Sequence, residues 1–123
     1  MTANRRVLVI DDDIDIRVLL ELLFEHAGYT VVTAANGMEG LQAARLARPF
    51  VIVLDLMMPV MDGREFRLRQ IADPELAGIP VIITSAAYNL EQRTNGLDAV
   101  AVLPKPLDFD ALVSAVAEAR QRT

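Results

Sequence analysis

Apolar residues recur along this chain in two rhythms that alternate. Short, nearly unbroken runs rich in β-branched residues occupy positions 7–10 (V-L-V-I), 30–34, 51–54 (V-I-V-L), 81–85 (V-I-I-T-S) and 99–103. Runs of that length and composition, closed by turn formers, predict buried strands. Between them the apolar positions space out to a helical period. Ile16, Leu19, Leu20, Leu23 and Ala27 predict a first helix, stopped by Gly28. Asn36 is placed to cap a second, through Leu41, Ala44 and Ala47, and Pro49 separates it from the next strand. A third helix after Gly63 carries Phe66 and Leu68 and ends near Ala72, before a loop over 73–80. A short helix is expected over 90–94. Asp108 caps a last one, with Phe109, Leu112, Val113, Val116 and Ala119 on one face.

Strand and helix thus alternate five times, with no internal repeat or linker. That order predicts an α/β fold with a parallel sheet, right-handed crossovers and helices on both faces. Five strands suit a doubly wound sheet of order 2-1-3-4-5, whose switch point lies between strands 1 and 3. Strand 1 runs into Asp11 and Asp12, and strand 3 delivers Asp55. These carboxylates are therefore expected in one crevice at the carboxyl edge of the sheet. Strand 4 ends in Ser85, and strand 5 runs toward Lys105.

Composition narrows the setting. The 123 residues suit one domain, taken as residues 1–123, and 17 acidic against 12 basic side chains leave a formal charge of −5. An acidic chain lacks the basic face that nucleic-acid binding requires. There is no cysteine, hence no disulfide framework or thiolate metal site. No apolar run approaches a membrane span, and the first apolar run stops too early for a signal peptide. The expected compartment is the cytoplasm. His26, the only histidine, falls in a helix's last turn, where a cation is mildly favoured, and is given no catalytic role.

Three carboxylates in one crevice repel one another; a like-charge pair at ~4 Å costs about 4 kcal/mol at an effective dielectric of ~20. Lys105 offsets only part of this. A hard divalent ion with oxygen ligands answers the rest, and Mg²⁺ fits best because it takes one or two carboxylates together with phosphate oxygens. Acids, a hydroxyl and a lysine around Mg²⁺ suggest phosphoryl chemistry. A carboxylate can itself attack phosphorus to form an acyl phosphate, and Asp55 is the best-placed nucleophile. Taken singly, each residue has an ordinary alternative. Acids before a helix cap it, which is the preferred reading for Asp13 and Asp15; Ser85 could satisfy local backbone; Lys105 could be a solvated loop residue. Jointly, complementary groups on four strand ends favour a site.

Four segments carry a specific resemblance: V-L-V-I-D-D-D, V-I-V-L-D-L-M-M-P-V-M-D-G, I-P-V-I-I-T-S-A and L-P-K-P. In this order they resemble the receiver domain of two-component response regulators over nearly the whole chain, a (βα)5 flavodoxin-like fold. The resemblance implies that Asp55 accepts phosphoryl from a phosphohistidine of a sensor histidine kinase or phosphotransfer protein. Asp12, Asp55 and the Met57 carbonyl would ligate Mg²⁺, with Asp11 acting largely through a metal-bound water. Ser85 would hydrogen-bond the phosphoryl group and Lys105 would pair with it. The Lys105–Pro106 peptide is expected to be cis. Output would be a shift of the face made by helix 4, strand 5 and helix 5. The protein would be a switch acting on itself, not an enzyme with a separate substrate, monomeric at rest and able to dimerise when phosphorylated.

Three positions depart from the family pattern. Val102 stands where a Tyr or Phe usually couples to the hydroxyl. Asp98 replaces a glycine before strand 5, and the Ser85-to-Lys105 interval is short, which predicts a truncated helix 4. Met57 and Ala87, flanking the site, are non-polar, which predicts slow loss of the phosphoryl group. Two other functions compete: a pseudo-receiver serving only as an interaction module, and a haloacid-dehalogenase-type phosphatase. The second lacks a cap insertion and a strand-end acidic pair after the lysine, since only Asp108 and Asp110 follow it.

Overall fold

The computed structural model describes residues 4–122; Met1, Thr2, Ala3 and Thr123, included in the expected domain, lie outside them. Ten elements alternate: β1 (Arg6–Ile10), α1 (Ile14–His26), β2 (Thr30–Ala34), α2 (Gly37–Ala47), β3 (Val51–Asp55), α3 (Gly63–Ala72), β4 (Val81–Ser85), α4 (Leu90–Arg93), β5 (Ala101–Pro104) and α5 (Phe109–Gln121). All strand pairs are parallel, in the order β2-β1-β3-β4-β5. This is the doubly wound arrangement expected from the sequence.

The unbroken apolar runs are explained by burial on two sides. Along β1, Val7 and Val9 face a core shared with Leu20 and Phe24 of α1 and Leu112 and Val116 of α5. Leu8 and Ile10 face the opposite core, shared with Leu41 of α2 and Phe66 of α3. A pleated strand sends alternate side chains to opposite faces, so a central strand must be apolar at every position. Edge strands carry less of this load: Val31, Val32 and Thr33 of β2 and Ala101, Val102 and Leu103 of β5 are only half-buried.

Asn36 accepts a hydrogen bond from the Glu39 amide, and Asp108 from the Ala111 amide, as N-caps of α2 and α5. Asp13 likewise caps α1 through the Asp15 amide.

Four expectations shift. In α1 the buried residues are Leu20 and Phe24, while Leu19 faces outward. Phe109 is also partly exposed at the start of α5, leaving Leu112, Val116 and Ala119 to seal the core. In α3, Leu68 is 49 % exposed, whereas Arg67 is only 5 % exposed and Gln70 is fully buried. These two polar residues form a network. The Arg67 guanidinium donates from Nε to the Leu97 carbonyl at 2.7 Å and from Nη2 to the Asp98 carbonyl at 3.2 Å. Its Nη1 donates to Gln70 Oε1 at 2.9 Å, and Gln70 Nε2 donates to the carbonyls of Leu76 and Ile79. Burial draws the Arg67 pKa down, against the opposing charge of Asp98. Finally, β5 begins at Ala101, two residues later than expected. The preceding chain is held to α3 by Arg67, and Asp98 takes a left-handed conformation with φ 54°.

Candidate functional site

Strand order brings the carboxyl ends of β1 and β3 side by side, with Ile10 in register with Leu54. The next residues out are Asp11 and Asp55. Asp55 ends a fully buried strand and is itself 4 % exposed. The chain leaving β3 is fixed closely. The Leu56 amide donates to the Thr84 carbonyl at 3.0 Å, and the Gly63 amide donates to the Leu56 carbonyl at 2.9 Å. Gly63 belongs here because of proximity: a Cβ on it would lie 2.5 Å from the Asp55 carbonyl oxygen and 2.8 Å from Leu56 Cα. The first turn of α3, capped by Asp62 through the Glu65 amide, is therefore pressed against the backbone of the central acid.

Asp11, Asp12 and Asp55 each present a carboxylate oxygen within 4.8 Å of the other two; Asp11 and Asp55 are buried and Asp12 is exposed. Asp11 is held by the Asp13 amide, which donates to its Oδ1 at 2.9 Å. Its carbonyl accepts from Arg17 Nη1 at 2.7 Å. Lys105 Nζ donates to Asp11 Oδ2 at 2.9 Å and lies 3.6 Å from Asp55 Oδ1. Lys105 reaches there because its amide donates to the Ser85 carbonyl at 2.8 Å, joining the end of β5 to the end of β4. The Lys105–Pro106 peptide is cis, as expected.

Ser85 is fully buried, and its Oγ accepts from the Ala87 amide at 3.1 Å. The local backbone role foreseen for it is thus occupied. An accepting hydroxyl still has its own proton to donate toward the crevice.

The electrostatics show how far the cluster is from balance. Burial first, and then the Asp11 charge, push the Asp55 carboxyl up to about 7, and a hydrogen bond with Asp12 adds to the rise. Lys105 and the Met57 amide oppose it without prevailing. Burial alone would depress Lys105, yet its hydrogen bond to Asp11 and the charges of Asp55 and Asp11 hold it above its ordinary value. A single ammonium is too little for three acids. An all-oxygen donor set of this kind, short of positive charge, suits a hard divalent cation.

Every sequence-predicted site residue therefore gathers at one end of the sheet. Two arginines that the sequence reading did not single out, Arg93 and Arg64, stand by the loop that leaves β3. Arg93 Nη1 lies 3.7 Å from Met57 Sδ, and Arg64 Nη1 donates to the Arg93 and Asn95 carbonyls. With Leu56, Met57, Asp62 and Gln92 they line an open cleft of about 270 Å³ beside the acid crevice. Nothing in their local sequence sets these arginines apart from other surface arginines.

Among the described residues no helix is long and apolar enough to cross a membrane. Residues 7–117 match the family model of the response regulator receiver domain. The chain is 37 % identical over 122 residues to the response regulator MprA of Mycobacterium ulcerans, covering 96 % of this chain and 51 % of that protein. It is 36 % identical to the sporulation initiation phosphotransferase F of Bacillus subtilis, covering 92 % of this chain and 91 % of that protein. The chemotaxis protein CheY4 of Vibrio cholerae superposes with a TM-score of 0.87 at 32 % identity, over 95 % of this chain and 99 % of that one. The chain thus spans about half the length of the MprA relatives and nearly all of the sporulation and chemotaxis proteins. The match runs from the first strand into the last helix and coincides with the acid cluster, so the chain belongs to the receiver-domain family of two-component response regulators.

Proposed function

We propose that Asp55 is the phosphoacceptor of a single receiver domain spanning residues 1–123, and that Asp11, Asp12, Ser85 and Lys105 serve the transfer. The observation that carries this reading is the charge imbalance around Asp55: three carboxylates within 4.8 Å and one ammonium. Such a crevice favours a divalent cation and a phosphoryl group held by it. Asp12, Asp55 and the carbonyl of Met57 would hold Mg²⁺, with Asp11 acting through a water. Bound there, the ion neutralises the acids and withdraws charge from the phosphoryl oxygens.

An oxygen of the Asp55 carboxylate attacks phosphorus of a phosphohistidine. A P–O bond forms as the P–N bond breaks, and the imidazole nitrogen leaves with the electron pair and takes a proton from solvent. Lys105 and the Ser85 hydroxyl stabilise the oxygens on which charge spreads. The donor would be a sensor histidine kinase or a phosphotransfer protein, in the cytoplasm. Ile14, Val18 and Leu22 give α1 an exposed apolar face that could receive it. The reaction is the protein's own modification rather than turnover of a separate substrate. The modified domain would switch its α4–β5–α5 face, as a monomer at rest that can dimerise when modified.

The test is incubation with phosphoramidate and Mg²⁺, read by intact mass. One phosphoryl group on the wild type and none on Asp55→Asn is the expected result. A wild type that gains nothing overturns the reading and leaves an interaction module. Met57 and Ala87 offer no polar side chain to orient water, so the acyl phosphate is expected to hydrolyse slowly. Its half-life in Mg²⁺ buffer measures this.

A further inference from the structure

The phosphoryl group must be reported without an aromatic residue at position 102. Val102 packs with Leu90 against the buried core on the α2–α3 face, and its short side chain has no ring to swing into the crevice. A different side chain stands over the loop that leaves Asp55. Arg93, the last residue of α4, directs Nη1 at Met57 Sδ, 3.7 Å away. Met57 lies two residues past Asp55 on the loop leaving β3. A thioether is a weak acceptor, and among the described residues Arg93 makes no salt bridge. Asp62 shares the cleft, but its side chain is engaged in capping α3. The Nη1 of Arg93 is thus held by a poor acceptor on the loop that leaves Asp55, the residue that would carry a phosphoryl group of nearly two negative charges.

The helix that carries it is easily displaced. α4 is one turn of four residues, none of them buried, and the side chain of its N-cap Asn89 makes no capping hydrogen bond. Its two ends are held differently. Arg93 Nε donates to the Tyr88 carbonyl at 3.1 Å, so the guanidinium is tied to the chain entering α4. The leaving end is tied to α3, because Arg64 donates to the Arg93 and Asn95 carbonyls. A pull on the guanidinium would therefore move the chain before α4 about a fixed far end.

Resting on the phosphoacceptor reading of Asp55, we propose that Arg93 is the residue that senses and reports the phosphoryl group. Its guanidinium exchanges the Met57 thioether for a phosphoryl oxygen and draws the chain entering α4, from Tyr88, toward β3. The exchange replaces a weak contact with a charge-assisted hydrogen bond. That difference between the two states is what a conformational shift requires.

The experiment compares wild type, Arg93→Ala and Arg93→Lys, each with Mg²⁺ and phosphoramidate, at equal phosphoryl occupancy measured by intact mass. Nitrogen-proton NMR follows the arginine Nε–H resonances and the amides of residues 88–97. In the wild type the Arg93 Nε–H and these amides shift on loading. Arg93→Ala loses most of the amide shift, and Arg93→Lys keeps part of it. Equal shifts in Arg93→Ala and wild type at equal occupancy overturn the proposal. So does an Arg93 Nε–H resonance unmoved by loading. A wild type that takes up no phosphoryl group overturns the phosphoacceptor reading itself, an outcome the mass alone identifies.

Discussion

Asp11 follows and Asp55 ends a strand whose every apolar residue is buried, whereas Arg93 stands on a one-turn helix with no buried residue. The acid side of the site is held by sheet hydrogen bonds, two cores and a glycine packed against Asp55. The α4 side meets the core through Leu90 and Leu97 and is otherwise tied by arginine bonds to a few carbonyls. Chemistry needs groups fixed to within a fraction of an ångström, because small misplacements cost large factors in rate. Reporting needs an element whose displacement is cheap, drawn from the low-stability part of the structure. The two halves divide these tasks.

The sharpest way to break this contrast is Gly63→Ala. The new Cβ would meet backbone atoms that cannot yield, since they belong to β3 and its exit. A loss of about 3 kcal/mol in urea unfolding is expected, from overpacking against a rigid neighbour. Phosphoryl uptake from phosphoramidate should fall by at least about ten-fold, because the Asp55 carbonyl moves with the strand end.

Arg67→Met probes the other half. It removes charged donors from the Leu97 and Asp98 carbonyls and a partner from buried Gln70. A stability loss of about 2–3 kcal/mol is expected. Faster hydrogen exchange should be confined to residues 97–102, with phosphoryl uptake close to wild type. Uptake that falls in step with Gly63→Ala would erase the distinction between the two sides.

The acid side should also carry the pH dependence. With no divalent ion, Asp55 titrates near 7 when folded and near 3.8 when unfolded. Between those values the folded chain binds more protons, so stability falls as pH rises from about 4 to about 7. The drop should amount to a few kcal/mol and vanish in Asp55→Asn. Lys105 acts in the same direction but far higher: its contribution is present through neutral pH and is lost only as pH rises through its raised pKa. Mg²⁺ competes with protons for the same oxygens, so it should raise the melting temperature more at pH 8 than at pH 6. Thermal melts across pH, with and without Mg²⁺, check both statements.

The smallest effect is at Val60, a β-branched residue held at φ 68° in the turn between Pro59 and Met61. Its side chain is exposed and buries almost nothing. Val60→Gly should stabilise by about 1 kcal/mol, read by urea melts, because glycine takes this conformation without steric cost. The acid cluster should be unaffected.

Strand order, all five helices close to their bounds, and the acid cluster were legible from local pattern. Central parallel strands are apolar at every position, and that signature marks both the sheet and its carboxyl edge. Caps at Asn36 and Asp108 were legible because a short polar side chain before an apolar stripe has a local mechanism. The inward face of α3 was not. Leu68 points outward while Arg67 and Gln70 point in, since the carbonyls they satisfy come from residues 76, 79, 97 and 98, beyond any local window. The delayed start of β5 has the same origin.

By itself, then, the sequence determined the order of elements, the switch point and the identity of Asp11, Asp12, Asp55, Ser85 and Lys105 as residues at strand ends. These follow from hydrophobic period and turn chemistry, which act over a few residues. Tertiary structure alone decided that Asp55 would be driven to hold its proton near neutrality, since that depends on burial and on Asp11 across the β1–β3 pair. It also decided which arginines matter. Arg67 and Arg93 differ little as sequence, yet one is buried against carbonyls of the α4–β5 connection and the other reaches a thioether on the loop that leaves Asp55. Long-range packing makes that choice, because a guanidinium's role is set by the acceptors that distant segments bring to it.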